Sequence, residues 1–274
     1  MSRVLGAHTS RMLRAYYRSP DHLMKLRIWG WLRSAFGYPP FTISYCDGGR
    51  LIVDERDLVQ RQVFLNGHYE PEVWDALFSF ASRSEVVWDI GAHIGTFTVK
   101  SILDQRVATV HAFEPDPSVC RALERNVHIN QRSTVSCSVH SFAVSAIPGR
   151  ANLYRAPLCN LGIGSLASKP TAQWIAVDCK SVDDLVYVDK LPAPTLMKVD
   201  VEGSEADVMR GAERVLRNAC LKAIVLETEA DEVGEIIDKK LSRYLSVMGY
   251  AVTWIRRPSG AIEPRENYLA VRSI

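Results

Sequence analysis

The sequence predicts an α/β protein built on a mostly parallel sheet, and three stretches predict it. Val86-Val87-Trp88 is an apolar run closing in Asp89, with Gly91 and Gly95 next and a helical pattern from Thr96. Residues 109–113 form a second apolar run that ends at Glu114-Pro115, and Leu196-Met197-Lys198-Val199 a third that ends at Asp200. Buried strand, acidic residue, glycine turn and helix is the order in which a parallel sheet opens a nucleotide pocket at the carboxyl ends of its strands.

In chain order, residues 10–36 read as one or two helices, with Ser19-Pro20 as N-cap and N1 between them. Met24, Ile28, Trp31, Leu32 and Ala35 share one face at helical spacing, while Lys25, Arg27 and Arg33 point elsewhere. That pattern suits a helix packed on the body with its charges solvated, or a basic amphipathic segment touching anionic lipid or an acidic substrate. Residues 41–45 and 51–53 alternate like strands around the hairpin turn Asp47-Gly48-Gly49. Two helical pieces follow, 57–65 and 71–81, joined through Gly67-His68-Tyr69-Glu70.

Beyond Glu114 the pattern gives a helix at 118–129, extended chain at 135–144, strands at 151–154 and 174–179, and a helical link at 181–188. The strand 196–199 leads into a helix apolar at Val208, Ala212, Val215 and Leu216. A strand at 223–227, an amphipathic helix at 232–248 ended by Gly249, and strands at 251–256 and 268–271 follow. Pro258-Ser259-Gly260 supplies the turn before the final antiparallel pairing. Residues 155–170 hold two prolines and two glycines without periodicity; a loop of that length in a compact domain is usually functional, and a substrate loop is expected.

Bulk properties narrow the class. A chain of 274 residues, 47% hydrophobic, can bury a full core. Net charge is +2, yet residues 1–40 hold seven basic groups against the single acid Asp21. The remainder is mildly acidic, which argues against a broad nucleic-acid-binding face. Cys46, Cys120, Cys137, Cys159, Cys179 and Cys220 are scattered without a CxxC pair, so neither a zinc site nor a disulfide scaffold is expected, and reduced thiols fit a cytoplasmic protein. Arg3 is not followed by an apolar h-region and no apolar run reaches about 18 residues, so neither a signal peptide nor a bilayer-spanning helix is expected.

The turn after the first apolar run spells DxGxxxG, where a dinucleotide fingerprint would spell GxGxxG. A pyrophosphate is best served by a helix N-terminus with no anion in between; Asp89 at the strand tip suits a ligand carrying an amine or positive charge. Glu114 can accept hydrogen bonds from both hydroxyls of a ribose. Asp89, Gly91, Gly95 and Glu114 therefore describe an adenosine site, and the glycine spacing favours S-adenosylmethionine over a nicotinamide cofactor. Asp200, Glu202 and Glu205 fall within six residues, and such acids repel unless a cation, a donor or a shared proton offsets them. Glu205 also suits the first turn of a helix on dipole grounds alone, and Glu227, on the same sheet edge as Asp200, reads as a solvated acid at a strand end or as a further pocket residue.

VVWDIGAHIGTFT, HAFEPDP and KVDVEGSEADVMRGA, with GHYEPE upstream and NLGIGSL between, resemble the FkbM family of S-adenosylmethionine-dependent methyltransferases from about residue 60 to the C-terminus. The resemblance implies the class I (Rossmann-like) methyltransferase fold, a seven-stranded, mostly parallel sheet with one antiparallel strand. The domains would be a basic helical extension (1–40), a hairpin with helices packed on the core (41–84) and the methyltransferase domain (85–274). It implies O-methylation, often of a sugar hydroxyl on a glycan, glycolipid or natural product. Asp89, Gly91, Ala92, Gly95, Thr96, Glu114, Ser141 and Asp200 would bind the cofactor. Asp200 and Glu202 would stand beside the methyl group as candidate bases, with His93 next, at a position frequently asparagine in this family. No metal ligands are assigned; a divalent cation on the same oxygens would favour magnesium over zinc but is not the preferred reading. The acceptor is expected to be a small molecule or glycan, with no nucleic acid.

Three rivals share parts of this pattern. A nicotinamide oxidoreductase should show GxGxxG. A base methyltransferase usually carries an Asn/Asp-Pro-Pro-aromatic tetrad, where this chain has Asp200-Val201-Glu202-Gly203. A non-catalytic module would be expected to lose its pocket acids, and these are present.

Overall fold

A computed structural model describes residues 5, 7–20, 24–37, 39–155, 165–166, 173–257 and 263–273. Two helices, α1 (Ala7–Arg18) and α2 (Lys25–Ala35), precede a hairpin of β1 (Phe41–Tyr45) and β2 (Gly49–Val53). Helices α3 (Leu58–Asn66) and α4 (Pro71–Phe78) lead to β3 (Glu85–Ile90), α5 (Thr96–Leu103), β4 (Val107–Phe113), α6 (Pro117–His128) and β5 (Ser136–His140). Next come β6 (Ala143–Val144), β7 (Gly149–Tyr154), β8 (Trp174–Lys180) and α7 (Val182–Tyr187). The chain continues through β9 (Leu196–Val199), α8 (Glu205–Arg210), α9 (Glu213–Leu216) and β10 (Ala223–Glu229), then α10 (Lys239–Val247), β11 (Tyr250–Trp254) and β12 (Arg265–Arg272).

Seven strands form one sheet in the order β11-β12-β10-β9-β3-β4-β5. β5, β4, β3, β9 and β10 run parallel, and β12 is antiparallel to both of its neighbours. The sheet is apolar on both faces because helices cover both. Trp88, Ile90, Met197, Val199, Ile224 and Leu226 face α8, α9 and α10, while Val87, Val110, Ala112 and Val225 face α4, α5 and α6. Period-two alternation thus distributes each strand between two cores. β6, β7 and β8 form a separate small sheet.

Several expected boundaries move. The extended stretch 135–144 is two strands in different sheets, since β5 pairs with β4 and β6 with β8. The helix expected at 232–248 starts only at Lys239, where the Asp238 carboxylate accepts the N–H groups of Lys240 and Leu241 and fixes the first turn. Ser19-Pro20 does not open a helix: the Ser19 hydroxyl donates to the Tyr16 carbonyl at the end of α1, and α2 begins at Lys25. The turn at Pro258-Ser259-Gly260 lies outside the described residues, as does most of the loop 155–170.

The largest correction concerns which side of α2 is buried. Met24, Ile28 and Trp31 are exposed, and Lys25, Trp29 and Arg33 are buried. Trp29 and Trp31 stand about 200° apart on a helix, so only one of them can face inward. Trp29 is the one, packed among Tyr17, Phe41 and Phe64. Its neighbours one turn away, Lys25 and Arg33, must follow it inside. Lys25 donates to the Ser19 carbonyl (2.5 Å). Arg33 meets Glu55 through two bonds, Nε to Oε1 at 2.5 Å and Nη2 to Oε2 at 2.9 Å, with its guanidinium 4.2 Å from the Phe41 ring. A planar, bidentate pair can be buried where a lone charge could not. This cluster also includes Ile94, Val99 and Val119, so the N-terminal elements pack on the α5 and α6 side of the sheet.

Candidate active site

The carboxyl ends of β4, β3, β9 and β10 lie on one edge of the sheet, and the strand order reverses at β3, which pairs with β4 on one side and β9 on the other. In parallel sheets ligands bind at that switch point. A cleft of about 1040 Å³, its open mouth included, opens there. Asp89, Gly91, Ala92, His93 and Thr96 line one part of it, Glu114 and Phe142 another, and Lys198, Asp200, Glu202 and Glu227 the far side.

The turn from β3 to α5 is built by hydrogen bonds and by two left-handed glycines. Gly91 and Ala92 donate to the Phe113 carbonyl, joining the turn to the tip of β4. Gly91 has φ 83°, and a Cβ on it would lie 1.8 Å from the Asp200 carbonyl oxygen. Its missing side chain therefore admits the neighbouring β9 loop as well as facing the cleft. Gly95, at φ 90°, does not line the cleft: a Cβ there would meet Leu123 of α6 at 2.6 Å. Ser141 directly follows β5. It is exposed, next to Phe142, and outside the cleft lining.

Asp89 is fully buried. Its Oδ2 accepts the Thr98 hydroxyl at 2.5 Å, and its Oδ1 has no partner. Burial raises its pKa, against the pull of Lys198. Glu114 accepts the His93 N–H at Oε2 (3.0 Å) and the Asp116 N–H at Oε1 (2.9 Å), and burial nonetheless pushes it up to about 7. Two further lone-pair sites remain on that carboxylate. His93 sits at φ 51° with its Nε2 buried and unpartnered, and burial lowers its pKa, so the imidazole is neutral. Apolar Phe113, Phe142, Val144, Leu153 and Leu166 complete a wall beside Glu114 suited to a flat ring.

The far side is a network of acids around two cations. Lys198 Nζ donates to Asp200 Oδ2 at 2.8 Å. Burial alone would raise the Asp200 pKa, yet Lys198 holds it below the usual range. Glu227 shares a hydrogen bond with Asp200, and burial, with Asp200 and Glu70 near, pushes it up to about 9. Arg265 meets Glu227 at 3.2 Å, Glu202 at 3.5 Å and Glu205 at 2.5 Å. Glu205 also accepts the Gly203 N–H and stands outside the cleft lining. Glu202 adopts φ 55°, a costly conformation for a residue with a Cβ, and its carbonyl accepts the Ser165 hydroxyl at 2.6 Å.

Glu227 is thus no solvated strand end; it lines the cleft beside Asp200. Lys198 and Glu70 fall inside KVDVEG and GHYEPE without a role assigned to them there, and Arg265 lies outside every quoted stretch. Glu70, half-buried at the start of α4 and raised to about 7 by desolvation and by Asp200, stands in the same charge field. One oxygen each of Asp200, Glu202 and Glu227 lie within 4.8 Å of one another, with the Arg265 guanidinium against two of these acids.

The orphaned Asp89 oxygen, the lone pairs left on Glu114 and the surplus of acids fit a ligand that combines an ammonium, a ribose and a further positive charge. Sheet order and cleft define a class I, Rossmann-like methyltransferase. The Methyltransferase FkbM domain matches residues 89–251, more than half of the chain. The protein belongs to that family and is an S-adenosylmethionine-dependent methyltransferase of the FkbM type.

It is 27% identical to "Hexuronic acid methyltransferase AglP" of Haloferax volcanii over 173 residues, 63% of this chain and 68% of that one. It is 27% identical to "Methyltransferase 1" of Beauveria bassiana over 234 residues, 79% of this chain and 89% of that one. To "31-O-demethyl-FK506 methyltransferase FkbM" of Streptomyces tacrolimicus it is 30% identical over 158 residues, 47% and 60% of the respective chains.

Proposed function

We propose that the protein methylates a hydroxyl oxygen of a sugar, on a glycan, glycolipid or natural product, with Asp200 taking the hydroxyl proton. The observation that carries this reading is the position of Asp200. It lines the same cleft as Asp89 and Glu114, at the next strand tip, and is held ionised by Lys198. Names of two relatives, a hexuronic acid methyltransferase and a 31-O-demethyl-FK506 methyltransferase, support an oxygen acceptor in a sugar or natural product.

S-adenosylmethionine supplies, when bound, a methyl group already activated on a sulfonium. Asp89 would hold its ammonium through the oxygen that has no other partner, Glu114 its ribose hydroxyls, and Gly91, Ala92 and Thr96 the backbone surface between. The remaining work belongs to the chain. It must orient the hydroxyl, exclude water and take one proton. Orientation can contribute roughly 7 to 11 kcal/mol and a positioned base about 10² to 10⁴ in rate. Glu227, protonated at neutral pH, donates to Asp200 and fixes its orientation. Glu202 and Arg265 offer an acceptor and a donor to neighbouring sugar hydroxyls. His93, neutral and with a buried Nε2, is the second candidate for the proton. Arg265 provides the countercharge that a divalent cation would provide, so turnover is expected to survive chelation by EDTA.

The test is D200N. Calorimetry should show cofactor binding within about threefold of wild type, while turnover falls by about 10² or more. The acceptor comes from mass spectrometry of glycans, lipids and secondary metabolites in cells with and without the gene, read as a 14-dalton methylene difference. Full activity in D200N removes Asp200 as the base; a methylated amine as the sole product removes the oxygen acceptor.

A further inference from the structure

The outward face of α2 runs against the usual rule for a helix at a protein surface, in which apolar residues point in and charged ones out. Met24 is 47% exposed, Ile28 37% and Trp31 70%. With Ala35, also exposed, they recur at intervals of four, three and four residues, one continuous stripe along the helix. Lys25 and Arg33, which would ordinarily be solvated, are the buried ones. The stripe is flanked by Arg27, one turn from Trp31, and the neighbouring helix α1 exposes Arg11, Met12 and Arg18.

We infer that α2 docks this protein on an anionic lipid surface, with Ile28 and Trp31 entering the headgroup boundary and Arg27 pairing with lipid phosphate. Charge decides in favour of lipid over a protein partner or a second copy. Arg11, Arg18 and Arg27 are exposed bases, and neither α1 nor α2 contains an acid, whereas the chain beyond residue 40 holds more acids than bases. An anionic surface attracts this end of the molecule and repels the other, which fixes how the protein would stand on it. Tryptophan suits the boundary because its ring is apolar and its N–H wet. No helix among the described residues is long and apolar enough to cross a bilayer, so the contact is one of lying on the surface. It does not depend on which acceptor is methylated.

The experiment is co-sedimentation of the full chain with sucrose-loaded vesicles of phosphatidylcholine, with and without phosphatidylglycerol. Wild type should pellet with the mixed vesicles, less so at high salt, and remain in the supernatant with phosphatidylcholine alone. I28E/W31E should lower the partition by about tenfold or more, with circular dichroism and cofactor binding unchanged, and R27E should weaken binding to anionic vesicles. Wild type that never pellets, or a double variant that pellets equally well, overturns the inference. So does sedimentation velocity showing a wild-type dimer that I28E/W31E dissociates, because the stripe is then an interface between copies. An I28E/W31E chain that fails to fold overturns it too, since the stripe would then be core.

Discussion

Two of the places where this molecule buries charge are built in opposite ways. Beneath α2, Arg33 and Glu55 close on each other through two hydrogen bonds, and the pair is electrically complete. At the carboxyl edge of the sheet, five carboxylates (Asp89, Glu114, Asp200, Glu202 and Glu227), with Glu70 of the α4 N-cap in the same charge field, face Lys198, Arg265 and a distant share of Arg257, 3.9 Å from Glu70. Here charge is left over. A completed pair contributes to architecture, while an uncompensated excess of negative charge in a cleft is affinity held ready for a cation. Burial raises the pKa values of Asp89, Glu114 and Glu227, with neighbouring acids adding to it, and one Asp89 oxygen lacks a partner.

The comparison can be broken most forcefully at the completed pair. R33A should cost about 3 to 5 kcal/mol, because Glu55 is left buried and alone. The double variant R33M/E55L should recover most of that, read by urea denaturation. A double variant as unstable as R33A would mean that the pair is not self-contained.

The cleft sharpens the contrast through pH. Glu70 and Glu114 have folded pKa values raised to about 7, so their ionised forms are disfavoured in the fold. Stability is therefore greatest below their ordinary range and falls as pH rises from about 4.5 to about 7, by up to about 3 kcal/mol per group. Bound cofactor, being cationic, should flatten that fall, and its affinity should rise over the same window with proton release. Thermal unfolding with and without ligand, and calorimetry in two buffers, check both halves. Stability that rises across this window would refute the claim of surplus charge.

The smallest effect separates the regions most cleanly. D89N removes a buried charge whose nearby cation, Lys198, is already hydrogen-bonded to Asp200, so the melting temperature should hold or rise. Cofactor affinity should drop roughly ten- to hundredfold, as expected for losing a charged hydrogen bond of about 1.5 to 3 kcal/mol. A similar deletion of charge thus destabilises under α2 and leaves the fold intact in the cleft.

How much of this could be read beforehand follows from how local each signal is. Asp89, Glu114 and Asp200 were legible because each ends an apolar run, and a strand tip followed by a glycine turn is a matter of a few consecutive residues. Arg265 was illegible. It opens β12, and only the antiparallel pairing that sets it opposite Glu229 carries it to the carboxyl edge, 60 residues from Glu205. The face of α2 was misread because periodicity offered two tryptophans about 200° apart and no local rule chose between them.

The sequence by itself determined the alternation of strands and helices, the acids at the strand tips and the family. Those depend on backbone hydrogen bonding and turn geometry, which neighbouring residues decide. Tertiary structure alone decided that Glu227 and Arg265 join Asp200, that Gly91 makes room for the Asp200 carbonyl, and that Trp29 rather than Trp31 is buried. Each of these is a contact between segments far apart in the chain, set by packing and by which charge finds a partner, and neither can be read along a single stretch.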